Sequence, residues 1–209
     1  MHKSYPKSLK VTWDNILPGG EVVTQWILTP RCASSSLALA AIKNERRFDK
    51  MKPIIFLDFD GVVETIYWEK DKDGSWSYNI HKYGRDELNN KQAIGWLNEL
   101  YSKVPYDIVV SSTWRIGMTL EQLQILITKS GFNSKIKVIG MTPILHQQRG
   151  LEIQKWIDDN NFRGKFVIID DDSDMCHLLP LLVRCDCQLG FTIYDYQKAL
   201  RLLGGDNND

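Results

Sequence analysis

The stretch that most constrains this chain is Pro53–Val63, Pro-Ile-Ile-Phe-Leu-Asp-Phe-Asp-Gly-Val-Val. Four apolar residues, Ile54, Ile55, Phe56 and Leu57, run without a break into Asp58, Asp60 follows, and Gly61 closes the run. An apolar run of this length bounded by Pro and Gly reads as a short strand buried on both faces. Burial on both faces suits a parallel sheet covered by helices. Open α/β sheets place their ligands at the carboxyl ends of such strands. Side chains two apart on a strand share a face, so Asp58 and Asp60 can reach one site, depending on the turn at Gly61. Two carboxylates held close need a cation or a shared proton. An ordinary Asp-Gly turn with solvated acids accounts for Asp60 and Gly61 but leaves Asp58 unexplained.

With 209 residues, the chain has room for one domain with an extension, or for two small domains. Its 26 basic and 26 acidic residues cancel, so nucleic-acid binding would have to rest on a local patch. Residues 1–50 carry eight Lys/Arg against four Asp/Glu. We read them as an N-terminal extension of unclear role, either a basic arm or a solvated helix end and linker. Within it, Val22–Leu28 reads as a strand and Ser34 to Phe48 as a helix. Cys32, Cys176, Cys185 and Cys187 lack the paired spacing of a zinc site and read as thiols in a reducing compartment. No apolar run approaches ~18 residues, so no membrane span is expected. No signal-peptide core follows Met1, and a cytoplasmic address is expected.

From Ile54 onward, apolar runs alternate with helical periods. Glu64–Arg85 interleaves Tyr67, Trp68, Trp76 and Tyr78 with polar residues around an Asp-Gly turn, the pattern of a β-hairpin. Such a hairpin would overhang the acidic strand as a flap, or simply pack on the domain. Asp86–Ser102 reads as a helix, Tyr106–Thr113 as a second strand, and Thr119-Leu-Glu-Gln122 as a capping box before a helix that stops at Gly131. Ile136–Ile139 reads as a strand closed by Gly140, Gln147–Asn160 as a helix, Phe166–Ile169 as a strand, Leu181–Cys187 as a fifth strand and Thr192 as the cap of a last helix. The fold expected over residues 51–209 is a Rossmann-like three-layer α/β sandwich. Its sheet has five mostly parallel strands, and its cap is only a β-hairpin flap.

Every polar cluster follows a strand: Asp58/Asp60, Ser111/Ser112 and Asp170-Asp171-Asp172-Ser173-Asp174, with Arg149 opening a helix. Three or more carboxylates around one point favour a hard, oxygen-liganded cation such as Mg²⁺. With hydroxyl and cationic donors nearby, that constellation suits a phosphoryl group. One carboxylate can act as nucleophile, and another as general acid and base.

These residues resemble the haloacid dehalogenase (HAD) superfamily of phosphohydrolases. Asp58-Phe-Asp-Gly-Val-Val looks like its first motif, and Ser111-Ser-Thr-Trp-Arg like its second. Arg149 looks like the basic residue of the third motif, and Ile168-Ile-Asp-Asp-Asp-Ser-Asp-Met175 like the acidic fourth. The resemblance covers about residues 52–203. The Ser-Ser-Thr-Trp-Arg string, the helix from Arg149 and Gly190-Phe-Thr point to the HAD domains of Swiss Army knife RNA-repair proteins. The resemblance implies Asp58 as nucleophile and Mg²⁺ ligand, and Asp60 as general acid/base that also gives its backbone carbonyl to the metal. It implies Ser111 or Ser112 as the phosphoryl donor, Arg149 as the neutralising cation, and Asp170 and Asp171 as further metal ligands, with Asp174 an open alternative. Gly61, Trp114 and Arg115 are expected at the substrate, Arg115 having a surface ion pair as its alternative. Lys155 competes with Arg149 for the third motif, but six residues along a helix it points elsewhere.

Fewer than 50 residues separate Val63 from Ser111, too few for a large cap once a helix and a strand are subtracted. Within the superfamily an open site goes with large substrates, so the expected partner is a phosphorylated substrate such as an RNA or DNA end. Trp68, Trp76 and Tyr78 could stack on bases, and Lys70, Lys72, Lys82 and Arg85 could meet phosphates. Glu69, Asp71, Asp73 and Asp86 interrupt that basic stripe, which weakens the nucleic-acid reading. The alternatives are a phosphatase for a small metabolite or nucleotide, and a non-catalytic HAD-like scaffold.

Overall fold

The apolar run forms the central strand of the sheet. The computed structural model describes residues 51–65, 67–70, 72–79 and 86–205. In chain order the elements are β1 (Ile54–Leu57), β2 (Tyr67–Lys70), β3 (Trp76–Asn79), α1 (Lys91–Lys103), β4 (Asp107–Val110), α2 (Leu120–Ser130), β5 (Val138–Met141), α3 (Arg149–Asp159), β6 (Phe166–Asp170), β7 (Leu182–Arg184) and α4 (Ile193–Leu203). The main sheet has the order β5-β4-β1-β6-β7, and every pairing in it is parallel. After β1 the chain builds outward through β4 and β5, then returns to the other side of β1 for β6 and β7. The strand order therefore reverses at β1. The crevice this opens at the carboxyl ends of the strands is where such sheets bind ligands.

Side chains alternate across β1, and both faces are covered. Ile55 and Leu57 join a core with Ile94 and Leu97 of α1, Leu123 and Ile127 of α2, and Ala199 and Leu200 of α4. Ile54 and Phe56 join a second core with Ile153, Trp156 and Ile157 of α3. Phe56 is fully buried and meets the rings of Trp156 and Phe166 edge-on, each at 5.5 Å. Three layers result, with, among the described residues, one helix on one face of the sheet and three on the other. Among the described residues, no helix is long and apolar enough to cross a membrane.

The expected capping box of α2 is present, and Gly131 closes that helix in the left-handed conformation at φ 104°. Thr192 and Asp195 form a second box at α4. Other boundaries differ from the sequence expectation. α1 begins at Lys91 instead of Asp86, because the Asn90 side chain caps it by accepting from Ala93 N. The backbone N–H of Leu88 donates to Ser130 Oγ and that of Asn89 to Glu64 Oε2, which holds the preceding residues as a connector. β5 does not stop at Gly140 but runs on to Met141, since pairing with β4 continues there. β7 covers only Leu182–Arg184, between a 3-10 segment, Cys176–Leu181, and a turn in which Gly190 N donates to Asp186 O. Cys187 is therefore off the strand. Cys176, Cys185 and Cys187 are free thiols, and Cys185 is buried.

β2 and β3 form the expected antiparallel hairpin, with Trp68 opposite Tyr78. Asp73 Oδ1 accepts from Ser75 N at 2.9 Å in its turn. The side chains of Trp68, Trp76 and Tyr78 lie outside the described residues. So do Lys82, Arg85, Cys32 and the whole extension 1–50, including its expected strand and helix.

Candidate active site

Asp58 follows β1 directly, Ser111 follows β4, and Asp170 is the last residue of β6. Parallel register puts these three positions at the same edge: Asp58 N bonds Ile169 O, and Ser111 N bonds Leu57 O, each at 3.0 Å. Asp58, Asp170 and Asp171 each offer an oxygen within 4.8 Å of the others. Asp58 is 4% exposed and Asp170 is fully buried.

Arg149 reaches this cluster from the first residue of α3. Its Nη1 donates to Asp58 Oδ1 at 2.8 Å and to the Ser111 carbonyl at 3.0 Å, and stands 3.3 Å from Asp170 Oδ2. The helix end is held from outside: Asp174 Oδ2 accepts from Arg149 N at 2.9 Å, and the Asp174 carbonyl accepts from Gly150 N at 3.2 Å. This supplies the cap that Gln148 does not give. Gly150 is required there, because a Cβ would lie 2.3 Å from the Met175 carbonyl oxygen. Asp174 thus caps the helix through Oδ2 and its carbonyl, while its Oδ1 is buried without a hydrogen-bond partner. Lys155 pairs with exposed Asp159 on the far side of the helix.

Asp60 sits in a tight turn whose N–H groups at Val62, Val63 and Glu64 all point to the Phe59 carbonyl. The Trp114 indole Nε1 donates to Asp60 Oδ1 at 2.9 Å. Gly61 adopts φ +70°, and a Cβ on it would stand 2.4 Å from the Asp171 carboxylate. Its contribution is to let Asp171 approach β1.

The two serines separate clearly. Ser112 Oγ accepts from Trp114 N and caps the short turn Thr113–Arg115. Ser111 Oγ is buried and has no hydrogen-bond partner. Asp170 Oδ2 is in the same condition: it lies within ion-pair range of Arg149 but makes no hydrogen bond, while Oδ1 accepts from Asp172 N. Orphaned buried polar atoms are costly, and these two, at the ends of β4 and β6 on either side of β1, fit a ligand with both a cationic and an anionic part.

Electrostatics points the same way. If all three carboxylates of the cluster were ionised, the one guanidinium of Arg149 would leave two negative charges uncompensated. Burial first, and the Asp58 charge second, push Asp170 well above the ordinary carboxylate range. The same two causes, in the same order, push Asp171 up to about 6. Burial works against the Arg149 charge, but Asp58 and Asp170 outweigh it and hold the guanidinium protonated. A divalent, oxygen-liganded cation matches both the donor set and the missing charge, so these residues fit Mg²⁺.

Two expectations need correction. Trp114 and Arg115 do not line an open substrate surface. Trp114 is fully buried and Arg115 is 5% exposed. The Arg115 guanidinium is spent inside the protein, on the carbonyls of Ser111, Ser112, Thr142 and Pro143 and on Glu152 Oε2 at 2.6 Å. Its ion pair is real but interior, where a surface pair was the alternative. Burial lowers the Arg115 pKa, and Glu152 offsets part of that effect. Glu152 was not anticipated as part of the site. The available signal was a carboxylate on the apolar face of α3, three residues after Arg149.

Residues 54–196 match the family model of the HAD domain in Swiss Army Knife RNA repair proteins. No curated protein and no solved structure matches the chain.

Proposed function

The chain belongs to the family of HAD domains in Swiss Army Knife RNA repair proteins, and from that premise we propose that it is a Mg²⁺-dependent phosphatase acting on nucleic-acid terminal phosphates through an aspartyl-phosphate on Asp58. The observation that carries this reading is the cluster of Asp58, Asp170 and Asp171 at the switch point, with Arg149 paired to two of the three.

In this mechanism, Asp58 attacks phosphorus with one carboxylate oxygen as the bond to the leaving oxygen breaks. Asp60, protonated at that moment, gives its proton to the leaving oxygen. It then takes a proton from the water that hydrolyses the aspartyl-phosphate, which restores Asp58. Ser111 Oγ, lacking a partner in the protein, donates to a non-bridging oxygen. Arg149 balances the charge of the intermediate. Asp58, Asp170, Asp171 and the Asp60 carbonyl would hold Mg²⁺, whose contribution is to neutralise phosphoryl charge.

Among the described residues, the connection from β1 to β4 adds a hairpin, β2 and β3, to the core helix α1, which supports access for a polynucleotide end. Phosphate release from p-nitrophenyl phosphate, with Mg²⁺ or with EDTA, for wild type and Asp58→Asn, tests the chemistry. Only the wild type with Mg²⁺ is expected to turn over; equal background in all arms refutes it. Faster turnover of 3′- or 5′-phosphorylated oligonucleotides than of mononucleotides is expected for end repair. The reverse order would identify a small-substrate phosphatase.

A further inference from the structure

A tryptophan carries one hydrogen-bond donor, and a fully buried indole N–H has to find an acceptor. The indole of Trp114 spends its donor on Asp60 Oδ1, a residue 54 positions earlier in the chain. The contact at 2.9 Å is a good hydrogen bond, and the acceptor strengthens it further when ionised. Two further contacts hold the residue, one on its ring and one on its backbone. Phe59, the chain neighbour of Asp60, packs edge-on against it at 5.7 Å and 83°. The Trp114 backbone N–H is held by Ser112 Oγ. These contacts tie Trp114 to the strand exits after both β1 and β4.

We propose that Trp114 is a positioning residue for the general acid. Its N–H sets the rotation of the Asp60 carboxyl group, so that the proton is delivered along the line to the leaving oxygen and later collected from water. This inference rests on the phosphatase reading of the same site. A filler of the core needs the area of the indole and not its N–H. A positioning residue needs the N–H.

Leaving-group dependence separates these roles. A p-nitrophenolate departs without a proton, whereas the alkoxide of a sugar hydroxyl needs one in the transition state. General acid catalysis contributes on the order of 10²–10⁴-fold to such steps. Trp114→Phe keeps an aromatic ring and removes the donor. Its ratio of kcat on a 3′-phosphorylated oligonucleotide to kcat on p-nitrophenyl phosphate is expected to fall by roughly tenfold or more, with little change in KM. Asp60→Asn is expected to show the same split, larger, and adding Trp114→Phe to it should not widen the split further. Folding is checked by unfolding temperature. Should the Phe variant fail to fold, a benzothienyl-alanine placed at 114 preserves the shape without the N–H. Equal losses on the two substrates, or no loss, overturn the proposal. A wild type inactive on both substrates with Mg²⁺ removes the phosphatase reading itself, and does so before any variant is made.

Discussion

The two serines after β4 are adjacent in sequence and unlike in circumstance. Ser112 Oγ is occupied as a cap, while Ser111 Oγ is buried with no partner. Ser111→Ala is therefore expected to lower kcat by roughly 10²-fold, the scale of losing one donor to a developing charge. Ser112→Ala is expected to cost about 1 kcal/mol of stability, the scale of a lost cap, with a much smaller kinetic effect. Steady-state rates and urea unfolding of both variants check this. The carboxylates make a second prediction. Asp171 binds its proton up to about pH 6 in the folded protein, above its ordinary value of 3.8. Between those values the folded state holds more protons than the unfolded one, so this group's contribution to stability falls as pH rises through the window. Above it the charge is present and uncompensated. Protons and Mg²⁺ compete for the same oxygens, so Mg²⁺ is expected to raise the unfolding temperature more at pH 7.5 than at pH 5. Thermal unfolding at both pH values measures it, and an equal rise would contradict it.

The short turn Thr113–Arg115 and the first turn of α3 behave as one unit, joined by Arg115 and Glu152. Glu152 also accepts from Leu145 N, so it ties the loop after β5 to α3. Removing one partner of a buried ion pair leaves the other charge stranded. Arg115→Met and Glu152→Gln are each expected to destabilise by about 3–5 kcal/mol. Arg115→Met combined with Glu152→Gln should cost less than the sum, since neither charge is then stranded. Urea unfolding of the two single variants and of the double variant reads the coupling. This unit also marks where legibility in the sequence ends. The five strands of the main sheet, the hairpin, the capping boxes at Thr119 and Thr192 and the apolar face of α3 are local patterns, and each appears in the fold. The acids, Ser111 and Arg149 are readable because each stands at the end or start of such an element. Trp114 and Arg115 were misread because their partners, Asp60 and Glu152, are 54 and 37 residues away. Short-range pattern cannot show which long polar side chain turns inward. Likewise, Ser130 and Glu64 hold Leu88 and Asn89 outside α1, and no local window contains those partners.

At the scale of the whole domain, the site and the fold make opposing demands on the same residues. β1 lies at the centre of both cores, and Phe56→Ala is expected to cost about 3–5 kcal/mol by opening a cavity against Trp156 and Phe166. At its carboxyl end the same strand delivers Asp58 into a cluster that burial and like charge disfavour. The proposed function requires those charges, since without them the cluster has nothing to offer a cation. Stability in the absence of metal would be better served by neutral residues of the same shape. Asp171→Asn removes one uncompensated charge while keeping the volume that Gly61 accommodates. It is expected to raise the unfolding temperature of the metal-free protein at pH 7.5 while abolishing most Mg²⁺-dependent turnover. The gain should vanish near pH 4, where the wild-type carboxyl is already protonated in the fold. A loss of stability at pH 7.5 would mean that the carboxylates are satisfied in the metal-free protein, and the charge argument for Mg²⁺ would fail with it. Thermal unfolding across that pH range, paired with phosphate release, decides between the two.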